Sequence, residues 1–442
     1  MGYPLRKEED KVPNPSKQRK RSRARFMILS LLFIGTAINY LDRTNMAVAA
    51  SAIQSDLSLD PAMMGLLLSA FGWTYAFMQI PGGWFLDRFG PRLVYGISLI
   101  LFSLCTLFQG FAKNFGTLFG LRLGLGFAEA PAFPSNSRVV AAWFPQKERA
   151  LATGVYTAGE YVGLALATPF LFWLLSSFGW HSIFIVTGII GLVFGLVWFK
   201  LYRDPKDSKY INKEEMDYIR EGGGLADSAG EVHKISWSQA RHLFKYRQFW
   251  GIYIGQFAIS STLYFFLTWF PTYLVQEKGI TLLKAGFVGS IPYIAAGIGV
   301  LVGGYWSDKM VQRGVSVGVA RKTPIIIGLL VACSIVLANY TSSTSLVITI
   351  MSVAFFAQGM SAITWTLVSD IAPKELVGLA GGVFNFAANL AAIVTPIVIG
   401  FIVSATNSFN GALVFVSVIA FMGALSYIFI VGEIKRIELS DN

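Results

Sequence analysis

Two charged pairs lie inside apolar stretches of this chain, where ionised groups are costly. Arg122 and Glu129 sit seven residues apart in Leu121-Arg122-Leu123-Gly124-Leu125-Gly126-Phe127-Ala128-Glu129, and Asp42-Arg43 interrupts the first apolar run. An ionised side chain at mid-bilayer costs roughly 2.5–3.5 kcal/mol on insertion scales, so hydrocarbon does not retain one without a partner or a task. Seven residues are about two helical turns, roughly 10.5 Å of rise, which brings Arg122 and Glu129 to one helix face. That face must look onto something polar. Asp42 and Arg43 lie about 100° apart around a helix, so they can serve different faces or exchange partners. The chemistry open to such groups is electrostatic. A guanidinium is a fixed, permanently charged fork for a carboxylate, and a carboxyl is pushed toward its neutral form by burial and toward its charged form by a nearby guanidinium. The three histidines, His181, His233 and His242, map to loops or helix edges, so any proton handling falls on carboxylates.

The elements that must hold these groups are membrane helices. Of 442 residues, 54% are hydrophobic and 14% charged, and the mean hydropathy is +0.56, outside the range of soluble globular domains. Apolar runs long enough to span recur from Phe26 to Val431, a helical-bundle signature and not that of an alternating-strand barrel. The two cysteines, Cys105 and Cys333, fall inside such runs and read as packing. No nucleophile-base constellation and no metal-ligand cluster is legible, so the expectation is no enzyme, no cofactor and no metal. The formal charge of +11 sits in short loops and tails, which topology explains better than nucleic acid does.

Twelve segments are predicted: roughly 26–48, 62–85, 92–111, 116–139, 149–176, 180–201, 247–275, 284–306, 322–341, 345–370, 376–404 and 410–432. They divide into a basic tail (1–25), a six-helix bundle (26–201), a hydrophilic linker (202–246) with a capped surface helix near Asn212, a second six-helix bundle (247–432) and a tail (433–442). Lys and Arg collect in the N-terminal tail, near Arg88 and Arg92, near Arg138, Lys147 and Arg149, in the linker, near Lys309, Arg313, Arg321 and Lys322, at Lys374 and at Lys435-Arg436. Intervening loops are poor in them, which predicts that both termini are cytoplasmic.

A repeat supports the division. Residues 63–88 align without gaps onto 284–309, matching Gly65 with Gly286, Ser69 with Ser290, Gly82-Gly83 with Gly303-Gly304 and Asp87 with Asp308. Both copies end in Gly-x-x-x-Asp followed by a basic residue, so Asp87-Arg88 with Arg92, and Asp308-Lys309, read as conformational latches. Parallel repeats place a binding site between the halves near the midplane.

Gly83-Trp84-Phe85-Leu86-Asp87-Arg88-Phe89-Gly90-Pro91-Arg92 resembles the signature of the major facilitator superfamily. Asn39-Tyr40-Leu41-Asp42-Arg43, Gln79-Ile80-Pro81-Gly82-Gly83-Trp84, Glu129-Ala130-Pro131-Ala132-Phe133-Pro134 and Gly381-Gly382-Val383-Phe384-Asn385 are similar to the anion:cation symporter family within it, especially bacterial galactonate, glucarate and hexuronate transporters. The resemblance implies an all-α fold of twelve transmembrane helices in two pseudo-symmetric halves. It also implies a monomer in a bacterial-type cell membrane, with a sugar-acid anion and protons as its partners. By that resemblance Asp42 and Glu129 are proton carriers, Arg43 binds the substrate carboxylate, and Arg122 couples to Glu129. Tyr40, Tyr75, Gln256, Thr364, Trp365 and Asn385 match positions that hold the sugar acid's hydroxyls or its second end. Glu160, in Gly159-Glu160-Tyr161-Val162-Gly163, departs from the galactonate pattern, which has Gln there.

Each residue has a plainer alternative. Asp42-Arg43 can mark a snorkelled helix end, Arg122 and Glu129 a static ion pair, and Glu160 a packing residue between close helices; Tyr75, Trp365 and Asn385 can be bundle packing. Asp370 reads as a gate or loop contact. Moving one charge across a membrane is worth about 2.3 kcal/mol per 100 mV, so anion import against a negative interior needs about two protons for a monoanion and three for a dianion. Glu160 is then either a third titrating site or a reshaping of the pocket for a dicarboxylic aldarate. The leading expectation is a proton-coupled importer of glucarate or a related aldarate. Its alternatives are a galactonate or hexuronate symporter, an exporter, and a sugar-acid sensor.

Overall fold

The computed structural model describes residues 21–225, 245–373 and 377–436, so most of the N-terminal tail, His233 and His242 in the linker, Lys374 and the last six residues lie outside the described part. The described part is helical. Span one is Ala24–Asp56, spans two and three are the limbs of Pro61–Gln109, and span four is Phe115–Glu129 followed by Ala132–Trp143. Spans five and six are Gln146–Phe178 and Trp180–Leu201, and a surface helix, Lys213–Glu221, follows. In the second half, span seven is Arg247–Thr268, span eight Leu282–Gln312, span nine begins with Val317–Ala332, span ten with Thr344–Met360, span eleven is Val377–Thr406 and span twelve begins with Asn410–Leu425.

Among the described residues, ten helices are by themselves long and apolar enough to cross a membrane. The fourth and seventh predicted segments are not among them, for separate reasons. Span four is interrupted at Ala130-Pro131, giving pieces of 15 and 12 residues, because Pro131 and Pro134 remove N–H donors from the helical ladder. The Ser98 hydroxyl of span three donates to the Ala128 carbonyl at this break, at 2.5 Å. Span seven is continuous but carries Gln248, Gln256, Ser260, Ser261 and Thr262. The boundary between spans two and three is a bend at Gly90, whose φ of 75° suits glycine and is followed by Pro91.

Apolar burial shows how the halves meet. One cluster joins them at one end, packing Met46–Ile53, Met64 and Leu171 against Phe266, Trp269, Tyr273 and Ile399. At the other end each half has its own: Ile28, Tyr95, Trp143 and Trp198 in the first, and Phe249, Leu329, Phe384 and Tyr427 in the second. Spans two and eleven follow the same gradient. A Cβ on Gly65 would stand 2.6 Å from the Pro396 carbonyl oxygen, and one on Gly400 2.6 Å from that of Pro61, whereas Gly83, Gly381 and Gly382 meet no described atom within 4 Å. Spans five and eight also touch where Gly286 faces Pro169 and Phe172 and are apart at Gly154 and Gly304. Gln276 donates to Gln54 across the closed end at 3.1 Å. The molecule is a V, closed at the end that holds Asp56 and Thr406. Leu166, Leu196, Leu301 and Phe429 are exposed on its outer surface, as expected of a wall against lipid.

The surface helix belongs to the first half. Asn212 caps it by accepting from the Glu215 amide. Glu215 is fully buried and takes 2.8 Å from the Arg25 guanidinium, plus the Ala24 amide and Ser22 hydroxyl at the start of span one. Arg25 also pairs with Glu148 at 3.1 Å, and Arg149 donates to the Gly223 carbonyl, so the helix ties spans one and five together.

Candidate functional site

The charged groups converge on the inner face of the first half, and close helix approach makes this possible. A Cβ on Gly126 would lie within 2.2 Å of the Phe71 carbonyl oxygen, so only glycine lets span four lie this near span two. Thr74 fixes the same contact by donating to the Leu123 carbonyl at 2.6 Å. Glu129 is thereby held at the last residue before the break in span four, facing span one.

There its partner is Arg43. Nε of Arg43 donates to Glu129 Oε1 at 2.8 Å and Nη2 lies 2.8 Å from the same oxygen. Glu129 is fully buried and Arg43 nearly so. The guanidinium is ringed by Tyr40, Phe71 and Tyr75, each 4.8 Å from it. Arg122 makes no direct contact with Glu129, as their two-turn separation implies. Its two terminal nitrogens donate to the backbone carbonyls of Asp42 and Arg43, at 3.4 and 3.2 Å. The reason is geometric: two helical turns separate Arg122 from Glu129, while span one crosses between them and presents both a guanidinium and carbonyls.

Asp42 is fully buried and points to the other side of span one, where Asn45 donates to its Oδ1 at 3.2 Å. Glu160 of span five is buried beside Tyr40. Asp42, Arg43, Arg122, Glu129, Tyr40, Tyr75 and Glu160 thus form one neighbourhood.

The second half contributes less of what was expected. Asn385 of span eleven reaches across, donating to Gln79 Oε1 of span two at 3.4 Å, where the two spans begin to part. Trp365 is half-exposed and packs edge-on to Phe384, with ring centroids 4.6 Å apart. Gln256 bonds Ser260 on its own helix at 3.3 Å. Thr364 is fully buried, its hydroxyl donating to the Ser361 carbonyl at 2.5 Å, so in this conformation it packs inside the second half and does not face the charged neighbourhood. Tyr264 of span seven, which sequence reasoning missed, does come within electrostatic reach of Arg43, Tyr75 and Glu160. Its position two turns after Gln256 was the available signal. Gln79 was legible only as part of a motif.

Asp87 and Asp308, read from the sequence as parts of latches, each pair with an arginine of another helix. Asp87 binds Arg138 of span four at 2.8 Å, and Asp308 binds Arg321 of span nine at 2.9 Å. Arg88 lies over Trp84 and Phe89, Arg92 donates to the Phe199 carbonyl, and Lys309 bonds Tyr305 one turn back. A basic neighbour in sequence points along its own helix, so the aspartate is met from another. Among the described residues, no group of histidine, cysteine and acidic side chains could hold a metal ion.

The chain is 50% identical over 431 residues to a D-galactonate transporter of Escherichia coli O6:H1, covering 96% of this chain and 99% of that protein. It is 46% identical over 439 residues to a probable galactarate/D-glucarate transporter of Escherichia coli K12, covering 96% and 98%. Among solved structures it resembles a bacterial homologue of the human lysosomal transporter Spinster, with a TM-score of 0.76, 21% identity and 92% and 96% of the two chains covered. A D-xylose-proton symporter aligns with a TM-score of 0.71, 16% identity and 93% and 98% coverage. Both likenesses concern the fold. The Major Facilitator Superfamily model matches residues 32–388, and with the helical architecture and these relatives it establishes that the chain is a multi-pass membrane protein belonging to the major facilitator superfamily.

Proposed function

We propose that the protein imports sugar acids together with protons, with glucarate or a related aldarate as first substrate. The observation that carries this reading is the Arg43–Glu129 pair, buried inside an aromatic ring part-way along span one, in a molecule whose two halves are closed at one end. Arg43 is a carboxylate-binding fork already occupied by a carboxylate. A substrate carboxylate competes for the same nitrogens, and Glu129, losing its counter-charge in a dry site, is neutralised by a proton. Substrate and proton thus bind together, which is what symport requires. Asp42 is the second carrier, and Arg122, bonded to the consecutive carbonyls of Asp42 and Arg43, holds that stretch of span one in register with span four.

Tyr75, Tyr40, Asn385, Trp365, Gln256 and Thr364 are proposed to line the path of the hydroxyls, the last two only after the second half has moved. Glu160, beside Tyr40, either adds a third titrating group or selects a second carboxylate. With the loop charges read as cytoplasmic, the open end faces inward, and transport is a rocking of the two halves in a bacterial cell membrane. The Asp87–Arg138 and Asp308–Arg321 pairs stiffen the ends that swing.

D-Galactonate is the second reading, favoured by the named activity of the 50% identical relative. Uptake of labelled D-glucarate, galactarate, D-galactonate and a hexuronate into proteoliposomes, with and without an inwardly directed pH gradient, tests both. Accumulation of an aldarate above D-galactonate supports the first reading, the reverse order supports the second, and accumulation indifferent to the pH gradient rejects proton coupling.

A further inference from the structure

Spans eight and ten, both of the second half, are pinched together near the middle of span eight and part toward the closed end. A Cβ on Gly299 would collide with the Phe356 carbonyl oxygen, one on Gly303 with that of Met360, and one on Gly359 with that of Ala296. The two helices therefore meet backbone to backbone there. On the closed-end side of this crossing a groove of about 550 Å³ lies between them. Lys284, Val288, Ile291 and Ala295, at i, i+4, i+7 and i+11, form one wall, and span ten supplies the other from Thr344 to Phe356.

The groove opens outward. Another face of span eight is already covered, since the atoms nearest Gly286 belong to span five and those nearest Gly289 to span five and to Phe270 and Leu274. Ile291 and Val353, which line the groove, are each 45% exposed, so it faces the lipid side of the molecule. A groove that tapers to a backbone crossing does not seat another helix, which is about 10–12 Å across with its side chains. A flexible chain fits it.

Its chemistry changes along its length. In the deeper part Thr349 donates to the Ser345 carbonyl at 2.9 Å and Ser352 to the Ile348 carbonyl at 2.7 Å, so both hydroxyls are turned back onto their own helix and the walls are effectively apolar. At the mouth, Lys284 in the first turn of span eight stands with Thr344 and Ser345 at the start of span ten. Lys284 is the one charged residue of the lining, and no ion pair among the described residues includes it. From Lys284 to Ala295 is roughly 16.5 Å of helical rise, about half of a hydrocarbon core some 30 Å thick. The groove thus runs the depth of one leaflet, with its cation at the headgroup end.

We propose that this groove binds one anionic diacylphospholipid of the leaflet at the closed end. Its phosphate sits on Lys284 and the hydroxyls of Thr344 and Ser345, as a charge-assisted contact, and one acyl chain lies between spans eight and ten as far as the glycine crossing. The headgroup is anionic because an ammonium group meets no acidic side chain in the lining, so phosphatidylglycerol is preferred to phosphatidylethanolamine. The lipid fills the wedge beside the stretch of span eight that closes on span five through Gly286. The site is independent of which solute the protein moves.

The test places the full chain in nanodiscs of phosphatidylethanolamine and phosphatidylglycerol, with a trace of phosphatidylglycerol carrying a diazirine midway along one acyl chain, and maps the photolabelled peptides by mass spectrometry. The expected result is label concentrated in 288–295 and 348–356, displaced by added phosphatidylglycerol and not by the same amount of phosphatidylethanolamine. Labelling should fall at least fivefold in Lys284→Gln, stay within twofold of the parent in Lys284→Arg, and fall in Ile291→Trp, which fills the groove. Lys284 and Ile291 are exposed, so these variants leave the packed interior intact. Label spread evenly over the outer wall, label unchanged in Lys284→Gln, or equal displacement by the two lipids overturns the proposal. So does a dimer in native mass spectrometry whose interface shields 288–295 from label, which would give the groove to a second copy of the chain.

Discussion

At the scale of residues, the competition for Arg43 makes specific demands. Lysine keeps the charge but loses the planar fork, so Arg43→Lys is expected to raise the substrate KM at least tenfold, measured as initial uptake. On the proposed mechanism, Glu129→Gln removes the competitor and the proton carrier at once. It is expected to retain substrate binding, seen by scintillation proximity or calorimetry, while losing gradient-driven accumulation; full accumulation would reject the role. Removing one partner of a buried ion pair costs about 3–5 kcal/mol where the other stays charged. Arg43→Ala is therefore expected to lower thermal stability in detergent more than Glu129→Gln does, because the glutamine leaves a polar acceptor in place. The types of these residues were legible in the sequence, and so was their neighbourhood. The pairing was not. Seven residues of separation said that Arg122 and Glu129 share a face, but which guanidinium reaches the carboxylate depends on where another helix crosses.

At the scale of elements, the site depends on the approach of span four to span two and on its break at Pro131. Gly126→Val puts two further carbons where even a Cβ stands 2.2 Å from the Phe71 carbonyl oxygen, so expression and melting temperature are expected to fall sharply, read by fluorescence size exclusion. The surface helix gives a prediction outside the membrane. Glu215→Ala leaves Arg25 with Glu148 alone and strips the Ala24 amide of its acceptor. The expected outcome is a lower melting temperature and earlier proteolysis in the linker, with substrate affinity unchanged. Helix positions were largely readable from hydropathy, and the surface helix from its Asn cap. The broken fourth span was not, because an apolar window averages over a proline that interrupts the ladder. The polar seventh span was predicted by the same averaging, although its described helix is less apolar than the rest.

At the scale of the whole molecule, the single apolar cluster at one end and the two separate clusters at the other describe one of the two states that alternating access requires. Cysteines at Gln54 and Gln276, in a background lacking Cys105 and Cys333, should be joined by a short bifunctional thiol-reactive reagent, since the native side chains touch at 3.1 Å. The cross-link is expected to abolish transport, with reversal by a cleavable reagent, because it ties the end that must open. A cross-linked protein that still transports would exclude rocking about this closure. The pH dependence has a definite sign: with protons as co-substrate, lowering the outside pH at fixed inside pH should raise the uptake rate, and raising it should lower the rate.

The sequence by itself determined the class of molecule, the two-fold repeat and the residue types that could carry a proton or bind a carboxylate, because hydropathy, spacing and charge are local properties. Tertiary structure decided what depends on distance between helices: that Arg43 and not Arg122 meets Glu129, that Arg138 and Arg321 meet Asp87 and Asp308, and that Tyr264 and Gln79 join the neighbourhood of the charged groups. It also decided which end of the V is closed. Both ends carry similar small and apolar residues, and packing separates them, as in the contact of Gly65 with Gly400 against the open ground around Gly83 and Gly381.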